Sequence, residues 1–154
     1  MTTAPVPLRL SRSNLVLPIL AGGAAAGTFD LTAAFITYGP GVPLGIAGGL
    51  LGGQALHGGI GTYILGIFLH YFIAFSAATI YCLASRKLEF LYEHFFVCGL
   101  FYGIAIYLVM KLIVLPLCAY HAVGPYQLRD LVQGLLVHML IIGLPISFAL
   151  RRLS

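Results

Sequence analysis

The sequence has no tryptophan, four Asp or Glu residues and eight Lys or Arg residues in 154 positions, so only 8% of it is charged. Soluble domains typically carry about 25% charged residues, enough to coat a surface facing water. This shortfall argues against a soluble globular enzyme, a disordered chain and a nucleic-acid-binding domain. The net charge of +4 does not restore the last of these. The basic residues occur in ones and twos, without the clustered basic face that phosphate binding uses. Cys82, Cys98 and Cys118 sit inside apolar runs without CxxC spacing, which predicts buried thiols and neither a disulfide framework nor a zinc site. There is no Ser-His-Asp set, no GxGxxG turn and no GxxxxGK[ST] loop, so no catalytic residues are assigned and no enzyme activity is expected.

What the chain has in abundance is hydrophobic side chains, at 60%, with a mean hydropathy of +1.03. Crossing a hydrocarbon core takes about 20 apolar residues in a helix. Four stretches meet that length: about 15–38, 62–84, 91–120 and 131–150. The expected architecture is an all-α, single-domain, polytopic membrane protein spanning 1–154, a bundle of four transmembrane helices in the lipid bilayer. Arg9, Arg12, Arg86, Lys87, Arg151 and Arg152 fall on one side of it, and Arg129, followed by Asp130, on the other. That bias predicts both termini in the cytoplasm. Tyr38, Tyr63, Tyr120 and Tyr126 then belong to the outer aromatic belt, Tyr81 and Tyr92 to the inner one. Arg9 to Ala26 also has the form of a secretory signal, but apolar character runs on to Tyr38, which favours an uncleaved first span.

Residues 39–61 contain ten glycines and no charge, with Gln54 and His57 as polar side chains. Gly45, Gly49 and Gly53 recur every fourth residue, a small-residue stripe suited to close packing. We expect a short re-entrant or interfacial half-helix on the outer side, with a flexible surface loop as the alternative. Gly124-Pro125 marks a turn, and Asp130 is placed to cap the fourth span.

Each span carries one prominent ionisable group: Asp30, His70, Lys111 and His138. Such groups are costly in lipid, about 2.5–3.5 kcal/mol for Asp or Lys at a helix centre on insertion scales. Counted from the outer ends of the spans, all four lie at a depth of about 10–14 Å. Glycines share their faces in three spans: Gly23 and Gly27 with Asp30, Gly66 with His70, and Gly134 with His138. Lys111 is expected at the edge, with Tyr107 between it and the rest. His57 is a candidate gate.

Several readings fit this layer. It can pass protons or a small polar solute, since imidazole titrates near pH 6.5. It can place His70 and His138 as axial ligands of a haem, with Arg129 near a propionate. It can hold a divalent metal on Asp30, His70 and His138, although Lys111 would repel the cation. It can also be a plain Asp30–Lys111 ion pair with core histidines. We rank proton-linked transport first and assign no resident cofactor or metal. The alternative class is an accessory subunit that packs into a larger membrane complex, and a homo-oligomer is compatible with either.

An Asp late in a glycine-rich first span, Gly66-Ile67-Phe68-Leu69-His70-Tyr71 in the second, Pro116 late in the third and His138 in the fourth resemble a group of small four-span bacterial inner-membrane proteins of unassigned function. The resemblance runs from about Gly22 to Phe148. It implies a multi-pass inner-membrane protein, carries over Asp30, His70 and His138, and supplies no reaction.

Overall fold

The computed structural model describes residues 14–121 and 127–154. Arg9, Arg12 and Tyr126 lie outside the described residues. Helix α1 is Val16–Tyr38, α2 is Val42–Leu51, a 3₁₀ segment covers Gly53–His57, and α3 is Ile60–Ala84. After a short α4 at Phe90–Glu93, α5 (Phe95–Val109) continues through a π-helical segment, Met110–Val114, into α6 (Leu115–Leu117). Likewise α7 (Leu128–Val137) continues through a π-helical segment, His138–Gly143, into α8 (Leu144–Leu153). No strand occurs among the described residues. The result is an all-α membrane protein with four apolar rods, Val16–Tyr38, Ile60–Ala84, Phe95–Leu117 and Leu128–Leu153, each long enough to cross a bilayer.

The first rod packs between the second and the fourth, and the third packs on the fourth. The second and third meet near the chain termini through tyrosines. Tyr102 donates to the Ala77 carbonyl at 2.7 Å, Tyr81 donates to the Leu91 carbonyl at 3.0 Å, and the two rings lie 4.8 Å apart. Tyr81 is therefore a buried joint and not a member of an interfacial belt. An aromatic body with one polar tip suits both places, and only packing separates them.

Two boundaries and one packing contact differ from expectation. The third span does not run unbroken from Leu91: His94, at φ −106° and ψ 43°, separates α4 from α5. The fourth begins at Leu128 with Gln127 as its N-cap, so Asp130 sits inside the first turn, where it complements the helix dipole but caps nothing. Residues 42–51 do form a short helix, but of the predicted glycine stripe only Gly49 meets a neighbour. Gly45 and Gly53 face open space, whereas the Tyr120 hydroxyl fills the place of a Cβ at Gly48, and the Pro43 carbonyl presses on Gly66 of α3. The backbone N–H of Ala119 donates to the Gly49 carbonyl at 2.8 Å, tying this helix to the end of the third rod.

Both π-helical segments have the same cause. Pro116 and Pro145 follow closely behind them. A proline offers no N–H and its ring clashes with the carbonyl four residues back, at Leu112 and Ile141, inside the two segments. Widening the helix by one residue per turn relieves that clash.

Glycine brings the third and fourth rods into backbone contact. Gly143 faces the Gly99 carbonyl and the Gly103 amide, and a Cβ at Gly103 would collide with the His138 carbonyl and the Met139 Cα. A G103V protein is expected to lose about 1–3 kcal/mol of stability, the usual cost of overpacking, read as an earlier thermal transition in detergent. An unchanged transition would show that the rods are not so closely packed.

Candidate functional site

The polar cluster starts at Gly27 on α1. With no side chain there, the Tyr71 ring and Ala74 of α3 come against the α1 backbone. This approach puts the His70 ring over the turn that carries Asp30. His70 Nε2 lies 2.8 Å from the Gly27 carbonyl and 4.0 Å from Asp30 Oδ2. A carbonyl can only accept, so Nε2 carries the proton, and in the neutral ring Nδ1 is left as the acceptor. The side chains of His70 and Asp30 retain only 12% and 24% of their exposure, so the pair sits largely out of solvent. Beside it the Tyr71 hydroxyl meets Thr28 Oγ1 at 2.9 Å.

His138 opens the π-helical part of the fourth rod. Its Nδ1 donates to the Gly134 carbonyl at 2.8 Å, which leaves Nε2 as the acceptor in the neutral ring. The Tyr107 ring packs edge-on against it, with centroids 5.3 Å apart. Gly134 makes room for that ring. His138 is close enough to Asp30 and Lys111 to feel both charges. Lys111, half-buried, lies in the π-helical part of the third rod. Of the four residues expected in one layer, Asp30 and His70 are thus in contact. Measured from the observed rod ends at Tyr38, Ile60, Leu117 and Leu128, the four lie 8, 10, 6 and 10 residues deep, about 9–15 Å. The structure puts His70 beside the Asp30 carboxylate.

Tyr71, Thr28 and the Gly27 carbonyl were missed in the sequence reading. Tyr71 stands next to His70, but nothing in the spacing alone says that its hydroxyl reaches α1. Tyr107 was placed between Lys111 and the layer, and its ring does lie against His138. His57 is exposed at the end of the 3₁₀ segment.

The cluster divides the bundle into unlike halves. Toward the termini lies the apolar core, including Ala78, Cys82, Ile142, Ile146 and Leu150. Toward the other end α1 carries Thr32 and Thr37, both exposed, and Gln133 donates to Thr37 Oγ1 at 3.3 Å. Three grooves in the surface of the described residues are lined by other side chains and not by the four ionisable ones.

His70 turns Nε2 to the Gly27 carbonyl, which leaves Nδ1 as the lone pair of its neutral ring, and Arg129 is exposed on a surface groove of α7. Among the described residues no group of three or more His, Cys, Asp or Glu side chains is arranged to hold a metal ion. No family model matches the chain, and neither the curated proteins nor the solved structures contain a match.

The Thr28–Tyr71 bond gives a direct test of how α1 meets α3. A T28V/Y71F double-mutant cycle, read by thermal unfolding in detergent, is expected to yield a coupling of about 0.6 kcal/mol and no more than about 1.7, the range of interhelical hydrogen bonds in membranes. Strict additivity would place the two hydroxyls apart.

Proposed function

We propose that this protein moves protons across its membrane, alone or coupled to a small solute, with Asp30, His70 and His138 as the groups that take up and release them. The observation that carries the reading is the Asp30 carboxylate 4.0 Å from His70 Nε2 inside a membrane bundle. A proton taken up at His70 Nδ1 makes the ring an imidazolium, and the proton on Nε2, once it leaves the Gly27 carbonyl, can then pass to the Asp30 carboxylate and return the ring to neutral. His138 repeats that arrangement on another rod, and imidazole is the side chain that changes charge near neutral pH. Lys111 supplies the positive charge that balances Asp30 within the layer. The polar side chains beyond Asp30 favour entry from the end away from the termini, and the apolar core is the barrier that a transport cycle has to open.

We also propose a bacterial inner-membrane location with cytoplasmic termini, in keeping with the resemblance to small four-span proteins of that membrane. Arg86, Lys87, Arg151 and Arg152 on the terminal side, against Arg129 beside Asp130 on the other, support this orientation. A C-terminal green fluorescent protein fusion should fluoresce and a C-terminal alkaline phosphatase fusion should be inactive; the reverse pattern would invert the topology.

For the activity, purified protein in proteoliposomes with an internal pH-sensitive dye should show proton flux down an imposed gradient. The D30N and H70A proteins should lose it while eluting as the same folded species. Flux that persists unchanged in both variants would reject the proposal.

A further inference from the structure

A second feature of the fold is independent of the polar cluster. A groove of about 500 Å³ runs between α1 and the fourth rod, closed at one end by the start of α5. Ala21, Ala25 and Phe29 form one wall, and Leu144 and Phe148 form the other. Its lining is apolar except for one cation, Arg152, at the terminal end. The Arg152 guanidinium lies 5.2 Å from the centre of the Phe148 ring, and that ring packs on Phe95 at 6.2 Å. The charge is thereby seated on the groove wall. Arg151, its neighbour, turns the other way and lies over the Tyr92 ring at 4.4 Å, on the side of α4 with Glu93. The acidic side chains of that region therefore do not line the groove.

The dimensions point to an occupant. From Leu140 to Arg152 the groove follows thirteen residues of the fourth rod, a rise of about 18 Å over the twelve steps between them at 1.5 Å each. One leaflet of a hydrocarbon core of about 30 Å is roughly 15 Å deep. The cation thus stands at headgroup level, and the apolar trough below it ends near the bilayer midplane. Small residues on α1 leave the trough open, where leucines would have filled it.

We propose that this groove is a specific site for one anionic phospholipid of the terminal-side leaflet, with an acyl chain in the trough and the headgroup on Arg152. Basic side chains at the membrane surface select anionic over zwitterionic lipids by about fivefold each. The cation–ring contact holds Arg152 in place ahead of binding, so less ordering is needed when the lipid arrives.

The experiment is native mass spectrometry of the full chain released from micelles containing phosphatidylglycerol and phosphatidylcholine with identical acyl chains. The wild-type protein should retain phosphatidylglycerol preferentially. R152Q, at an exposed position, should lower that preference about fivefold, and R152K should keep most of it. A25F, which fills the trough and leaves the charge, should lose retained lipid of both headgroups. Equal preference in wild type and R152Q would overturn the site, as would undiminished lipid retention by A25F. Displacement by inorganic phosphate as effective as by phosphatidylglycerol would also overturn it, since the position would then bind an anion without a chain.

Discussion

The contact between His70 and Asp30 depends on how closely two backbones approach. The His70 ring reaches the Gly27 carbonyl because α3 meets α1 where α1 has no side chain. The third rod reaches His138 through Gly103 in the same way. Two apolar helices in lipid gain little by touching, because lipid tails are as apolar as leucine; association rests on close packing and interhelical hydrogen bonds. Here the two are coupled. Glycine allows the approach, and the approach converts an imidazole that would be costly in hydrocarbon into one bonded to a backbone carbonyl.

Proline acts on the same two rods at longer range. Pro116 and Pro145 each widen the turn before them into a π-helix, and those turns contain Lys111 and His138 respectively. A π-helical turn rotates the side chains on one side of it relative to those on the other. The residues expected on one face of an ideal helix are therefore redistributed within the third and fourth rods. Counting at 100° per residue places Lys111 well away from Gly103, but that count assumes a regular helix up to position 111, where the widened segment has already begun.

This explains which parts of the structure were legible in the sequence. The four rods follow from the length of apolar runs, and the half-helix follows from an uncharged glycine-rich stretch too short to cross. The pairing of Asp30 with His70 was half visible: shared depth and the nearby glycines brought them into one layer, but Lys111 was an equally good partner by charge. Contact depends on the rotation of α3 about its own axis, which the Gly27–Tyr71 packing sets and hydropathy does not encode. The glycines of the outer helix mislead for a similar reason. Gly45, Gly49 and Gly53 keep the right interval, but Gly52 has φ +78° and ends the helix before the third of them. Close contact falls at Gly48 and Gly49, where the chain beyond the third rod delivers Tyr120, Ala119 and Cys118. Small-residue spacing identifies a helix that can pack closely without identifying the face that does.

Hydrogen bonding alone does not account for the choice of side chains in the cluster. An interhelical bond to the Gly27 carbonyl needs only a donor, which Ser, Thr or Asn supplies without a titratable group. A neutral imidazole bonded through one nitrogen still has an acceptor on the other, and a carboxylate beside it gives the pair a proton to share. Both histidines of the layer have their donor nitrogen occupied by a carbonyl on or near a glycine-lined face. Each therefore has a fixed tautomer when neutral and one defined site at which it can gain a proton. Two such sites on different rods are what the proposed proton transfer would use, and on the terminal side the cluster is backed by apolar packing that includes Ile142, Ile146 and Leu150.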